Sequence, residues 1–170
     1  MIAVLLALAQ TTAEAQSLDQ AWQALREGRY ATAVAALDGL PSTVATEWVW
    51  AELYYAAGEH RLALEHAEAG LAFEPQHLDL LHRAASSALW IGDESRAGPF
   101  TSQLSQAVAR ASLTPEHRAG WEAAVTDFEQ RVTHLTQRHD ARDAGVLRAR
   151  ALAVAGLLGA LAAMLWLAWK

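Results

Sequence analysis

Gly58 and Gly92 lie 34 positions apart, and each is preceded by an aromatic-rich amphipathic run and followed by a second run of helical pattern. A period of this length is what a stack of helix pairs requires, because each pair carries an apolar face that only its neighbours can cover. The chain is therefore expected to be all-α. Leu18, Ala21, Trp22 and Leu25 give the i, i+3, i+4, i+7 stripe of a first helix, Gly28-Arg29-Tyr30 a turn, and Ala33, Val34 and Leu37 a second helix. Gly28 to Gly58 is 30 positions, so the loop around Pro41 is expected to be shortened. In the third unit Leu81, Ala84, Ala85, Ala88 and Gly92 keep step, but Gly98-Pro99 falls where a second helix should already be running. Because proline removes a hydrogen bond inside a helix and is tolerated at its start, that helix is predicted to begin near Pro99.

The second unit reads Trp50-Ala51-x2-Tyr54, then Gly58, Ala63 and Pro75. This order of large, small, aromatic, turn glycine, small and proline resembles the tetratricopeptide repeat, with about three repeats over residues 18–112. The resemblance implies that the first helices of successive units line a concave groove for a peptide or protein. Placed one by one, the groove positions fall on Trp48, Glu52 and Tyr55 in unit two. In unit three they fall on Asp79, His82, Ser86, Leu89 and Trp90, with Trp22 and Arg26 added by unit one. Trp50 and Tyr54 point instead to neighbouring helices. Large rings beside Glu52, His82 and Arg26 are the residue types that anchor interfaces. Packing is the competing use of the same rings, since aromatic stripes at helical spacing commonly form core.

After the repeats, Thr114-Pro115-Glu116 reads as an N-cap followed by proline in the first turn. The helix it starts, over about 113–138, carries Trp121, Val125, Phe128, Val132 and Leu135 on one seam and is expected to cap the array. An Arg-rich neck follows over 139–150, with Gly145 a weak point if the helix continues. Residues 151–169 are then uncharged and apolar. At about 1.5 Å per residue that run spans roughly 28 Å, and it reads as a single C-terminal transmembrane helix. Trp166, Trp169 and Lys170 suit one interface; Arg148 and Arg150 flank the other. Within it Ala151, Ala155, Gly159 and Ala163 recur every four residues, a strip along which another transmembrane helix can approach.

At the other end, Ile2 to Ala9 has the length of a signal-peptide apolar region, and Ala13-Glu14-Ala15 offers a cleavage site that leaves Gln16 first. Residues 1–15 are therefore expected to be a signal peptide and the repeats to be extracytoplasmic. The arginines on the domain side of the anchor favour the opposite arrangement, a cytoplasmic tail-anchored protein. The layout of leader, repeats and C-terminal membrane helix is similar to that of bacterial proteins of aerotolerance-type operons.

Charge excludes one class of partner. Residues 16–130 hold 16 Asp and Glu against 7 Arg, whereas 131–150 hold 5 Arg against 2 Asp. An acidic main surface does not suit nucleic acid, but the basic neck suits anionic lipid headgroups. There is no cysteine, hence no disulfide or thiolate site. His134 and His139 are five apart, about 140° round a helix, and Glu65, His66 and Glu68 splay, so neither set is spaced to ligate a metal. No phosphate loop or nucleophile elbow is present. Asp79/Arg83 and Asp127/Arg131, each four apart, are expected to be surface pairs worth about 0.2–0.5 kcal/mol. The expectation is a non-catalytic, cofactor-free membrane-anchored adaptor or scaffold. A structural subunit held through its transmembrane helix and a cofactor-assembly chaperone stand as alternatives.

Overall fold

A computed structural model describes the backbone of residues 2–169 and the side chains of residues 12–155. Among these the protein is all-α, in the order α1 (Ile2–Arg26), α2 (Tyr30–Leu37), α3 (Val44–Ala56), α4 (His60–Phe73), α5 (Leu78–Ile91), α6 (Glu94–Arg110) and α7 (Pro115–Trp169). Contacts divide the chain into two units, Met1–Val132 and Thr133–Lys170.

In the first unit the helices form successive hairpins. α1 packs on α2, α3 on α4 and α5 on α6, and the first helices also meet across hairpins, α1 with α3 and α3 with α5. The reason lies in three equivalent chain reversals. Arg29 N–H donates to Ala24 O at 2.8 Å, Glu59 to Tyr54 O at 2.8 Å and Asp93 to Ala88 O at 2.9 Å. In each case the N–H of the glycine before the donor closes a tighter loop inside the first, from Gly28 to Leu25 O, Gly58 to Tyr55 O and Gly92 to Leu89 O. This six-to-one and five-to-two pairing is the Schellman end, which needs a left-handed residue. Gly58 and Gly92 supply it at φ +81° and +73°, and a Cβ at either would meet nothing within 4 Å, so conformation rather than space demands glycine there.

α3 starts at Val44 because Thr43 caps it. Thr43 Oγ1 accepts from Thr46 N–H at 3.2 Å, and Thr46 Oγ1 accepts from Thr43 N–H at 2.8 Å while donating to Pro41 O at 2.8 Å. α3 then serves two cores. Val49 and Leu53 pack with Ala21, Ala24, Ala33 and Leu37, whereas Ala51 joins a larger cluster with Leu64, Leu80, Leu81, Leu104 and Phe128.

α6 corrects the expectation that its helix begins near Pro99. It begins at Glu94, where Asp93 caps it by accepting from Arg96 N–H at 3.2 Å, and Pro99 lies inside. Proline in the second turn withdraws one backbone donor, which the helix tolerates because Ala97, Thr101 and Leu104 on the same helix are buried. α7 starts at Pro115 as expected, with Thr114 Oγ1 accepting from His117 N–H at 3.4 Å. Its seam joins the first unit's core through buried Val125 and Phe128, with Trp121 and Val132 against them.

In the second unit the helical backbone runs on through Gly145 without interruption. No helix among the described residues is long and apolar enough to cross a membrane. The expected transmembrane segment, 151–169, lies outside the described side chains from residue 156 on, and so do Gly159 and Ala163; Ala155 is exposed. The expected signal peptide likewise lies mostly outside them, with Ala13, Glu14 and Ala15 inside α1.

Candidate functional site

Four of the ten expected groove residues, Glu52, Tyr55, Ser86 and Trp90, meet where α3 faces α5. Tyr55 is their centre. Its hydroxyl lies 2.7 Å from Ser86 Oγ and accepts from Trp90 Nε1 at 2.8 Å, and its ring lies under the Arg83 guanidinium, 3.8 Å from the centroid. Arg83 is held in turn by Glu52, through Nε to Oε1 at 2.9 Å and through Nη2 to Oε1 at 2.7 Å and to Oε2 at 2.5 Å. Both partners are largely withdrawn from water, so this is a charge-assisted fork and not a loose surface pair. The expected local pair Asp79/Arg83 is thereby corrected: the guanidinium reaches across to α3. Asp127/Arg131 does form, at 3.7 Å.

Around this network stand two further groups. The His60 ring lies nearly parallel to the Trp90 indole, at 5.1 Å and 9°, and meets Tyr55 edge-on at 4.9 Å. Arg131 on α7 places its guanidinium carbon 6.0 Å from the Trp90 centroid. Trp90 is nevertheless 59% exposed, a large ring fixed in place at the surface.

The remaining expected residues divide. Trp22 and Trp48 meet edge to face at 4.9 Å, and Trp48 continues to His77 at 5.4 Å, a row of rings from α1, α3 and the cap of α5. Both tryptophans pack against core residues, and the buried Trp48 Nε1 has no hydrogen-bond partner among the described residues. Arg26 is exposed in the last turn of α1. His82 is set apart from the aromatic face by α7, whose Phe128 and Trp121 rings lie 5.0 and 5.7 Å from it. Burial, followed by the neighbouring Arg83 charge, holds its pKa below the ordinary imidazole value, so His82 is a packing residue here rather than an open groove position.

Sequence reasoning missed Arg83, His60 and a second polar cluster. Glu47, only 8% exposed, accepts from Ser42 Oγ at 2.5 Å and pairs with His66 Nδ1 at 2.7 Å. His66 lies parallel to both Tyr54 and Trp50, at 5.2 and 5.5 Å, which ties α3 to α4 as expected for those two rings. With serine and histidine both on the carboxylate and not on each other, the cluster lacks the order of a nucleophile relay. It is an interhelical clamp. A shallow hollow of about 270 Å³ also opens between α6 and the first part of α7, lined among others by Val108, Val125, Glu122 and Glu129. None of the aromatic-face residues borders it.

Compared with known proteins, the chain matches no protein-family model, no curated protein and no solved structure.

Proposed function

We propose that this protein is a non-catalytic adaptor of tetratricopeptide type, anchored in a membrane, which holds a segment of a partner protein on the face shared by α3 and α5. The observation that carries the reading is Trp90, an indole 59% exposed yet hydrogen-bonded to Tyr55 and stacked on His60. Ordering a mobile side chain on binding costs about 0.5–1.5 kcal/mol, and a ring already held avoids most of that. Rigid aromatics beside arginine are the residues that dominate interface energies. Three equivalent hairpin ends and the contact of α1, α3 and α5 across hairpins support the repeat reading.

Residues 151–169 supply the anchor in this proposal, and the repeats stand on the extracytoplasmic side. In right-side-out vesicles, protease would then digest the repeats, and N-terminal sequencing would find Gln16 first. Protection of the repeats would assign the tail-anchored arrangement instead.

Docking is tested by pull-down from solubilised membranes with Trp90→Ala and Tyr55→Phe chains. The control is Phe73→Ala, at an exposed ring in the last turn of α4 outside the network. Stoichiometric partners are expected to be lost from the first two and kept by the third. Partners unchanged in all three would refute the α3/α5 face as the docking surface.

A further inference from the structure

The contact over Trp90 suggests what the partner brings. Arg131 stands over the indole at 6.0 Å, at the outer limit of cation–π attraction, and its ion pair with Asp127 is long, at 3.7 Å, with both side chains well exposed. The contrast is Arg83, clamped by Glu52 and pressed on Tyr55 at 3.8 Å. One arginine is thus built into the face, while the other is lightly held at a position that a second cation could take. Arg83 and Arg131 balance Glu52 and Asp127 at the face itself, but residues 16–130 as a whole carry 16 carboxylates against 7 arginines, a net charge that draws a cation in over long range.

Resting on the reading of the α3/α5 face as a docking surface, we infer that the partner segment is basic. An arginine or lysine of that segment sits over Trp90 beside Asp127, where Arg131 stands in the free chain. Arg131 then acts as an internal placeholder, satisfying the ring and the carboxylate until a partner displaces it. Removing Asp127 would take away the carboxylate, and removing Trp90 the ring. An acidic segment would meet both the negative π face and the excess of carboxylates.

The test is fluorescence anisotropy with the full-length chain and two labelled homopolymeric peptides, oligoarginine and oligoglutamate of equal length, at one moderate salt concentration. The oligoarginine peptide is expected to bind, and Trp90→Ala to weaken it about two- to five-fold, the range of an exposed cation–π contact. Trp90→Phe, which keeps an aromatic face, should fall between, and Asp127→Asn should also weaken binding. Arg131→Ala should tighten it, because the competitor is gone. That last result separates the proposal from mere attraction to an acidic surface, which losing an arginine elsewhere, as in Arg110→Ala, would strengthen equally. Binding indifferent to both Trp90 variants, or an Arg131→Ala effect no larger than that of Arg110→Ala, overturns the inference. Trp90-dependent binding of the oligoglutamate peptide overturns the basic partner while leaving the docking face standing. If neither peptide binds, the inference falls, and the pull-down decides separately on the docking face.

Discussion

Removing Glu52 is the perturbation that most directly asks whether the α3/α5 face is prearranged. Its carboxylate makes three contacts of 2.5–2.9 Å to Arg83, whose side chain is 13% exposed. Stripping the partner from a fully buried charge destabilises by about 3–5 kcal/mol. The Arg83 guanidinium keeps some access to water and the Tyr55 ring beneath it, so Glu52→Leu is expected to destabilise by about 2 kcal/mol. In a chain of this size that corresponds to a melting temperature lower by about 4–8 °C. Arg83→Met should lower it by a similar amount. The double variant should recover to within about 1 kcal/mol of the parent, since an apolar pair of like shape dispenses with the desolvation of both ions. Thermal unfolding of the four proteins, followed by tryptophan fluorescence in one detergent, reads the cycle. Single losses below about 0.5 kcal/mol that simply add would mean that the ion pair is a solvated surface contact, and the argument for a rigid face would fail.

Gly70 of α4 packs closely on two helices: a Cβ there would lie 2.7 Å from Leu80 Cδ1 and 3.2 Å from Glu47 Cβ. Leu80 is fully buried, so moving its methyl disturbs packed neighbours, and Glu47 Cβ is close to its own backbone; Gly70→Ala should therefore destabilise by about 1–3 kcal/mol despite alanine's better helix propensity. A melting temperature unchanged or raised would refute that packing. His82 supplies a pH test. Its pKa is lowered from the usual 6.5 in the folded chain, chiefly by burial, so between that depressed value and 6.5 the unfolded chain binds more protons. Stability should be highest above pH about 6.5 and fall as pH drops below it, by more in the parent than in His82→Gln. Denaturant titrations at pH 5 and 7.5 measure the difference, and parallel losses in the two proteins would refute the assignment.

The helices and turns are readable in the sequence because each depends on neighbours along the chain. An apolar stripe at 3.6-residue spacing and a glycine after it are sufficient for a hairpin, and both recur in all three units. The start of α6 departs from the expectation because Asp93, directly after the turn glycine, is a better cap than Pro99 is a start: its carboxylate satisfies a free N–H, while proline merely fails to donate one. The partner of Arg83 departs for a different reason. A four-residue spacing to Asp79 is visible locally, but such a pair is worth only about 0.2–0.5 kcal/mol and yields to a carboxylate that can bind the guanidinium by a fork away from water.

That cross-helix pairing has its own arithmetic, which the 34-residue period contains. Glu52 meets Arg83 and Tyr55 meets Ser86 at a separation of 31, and Tyr55 meets Trp90 at 35. These are the repeat length less three and plus one, positions one helical turn apart on the facing helix. Two stacked first helices therefore present to each other residues offset from strict repeat equivalence, and equivalence alone, which pairs Glu52 with Ser86, misses Arg83. No such rule reaches His82, because α7 belongs to no repeat. Its Phe128 and Trp121 close over α5 from outside the period, and only the packing of that helix decides that the array presents its open aromatic surface at Trp90 rather than at His82.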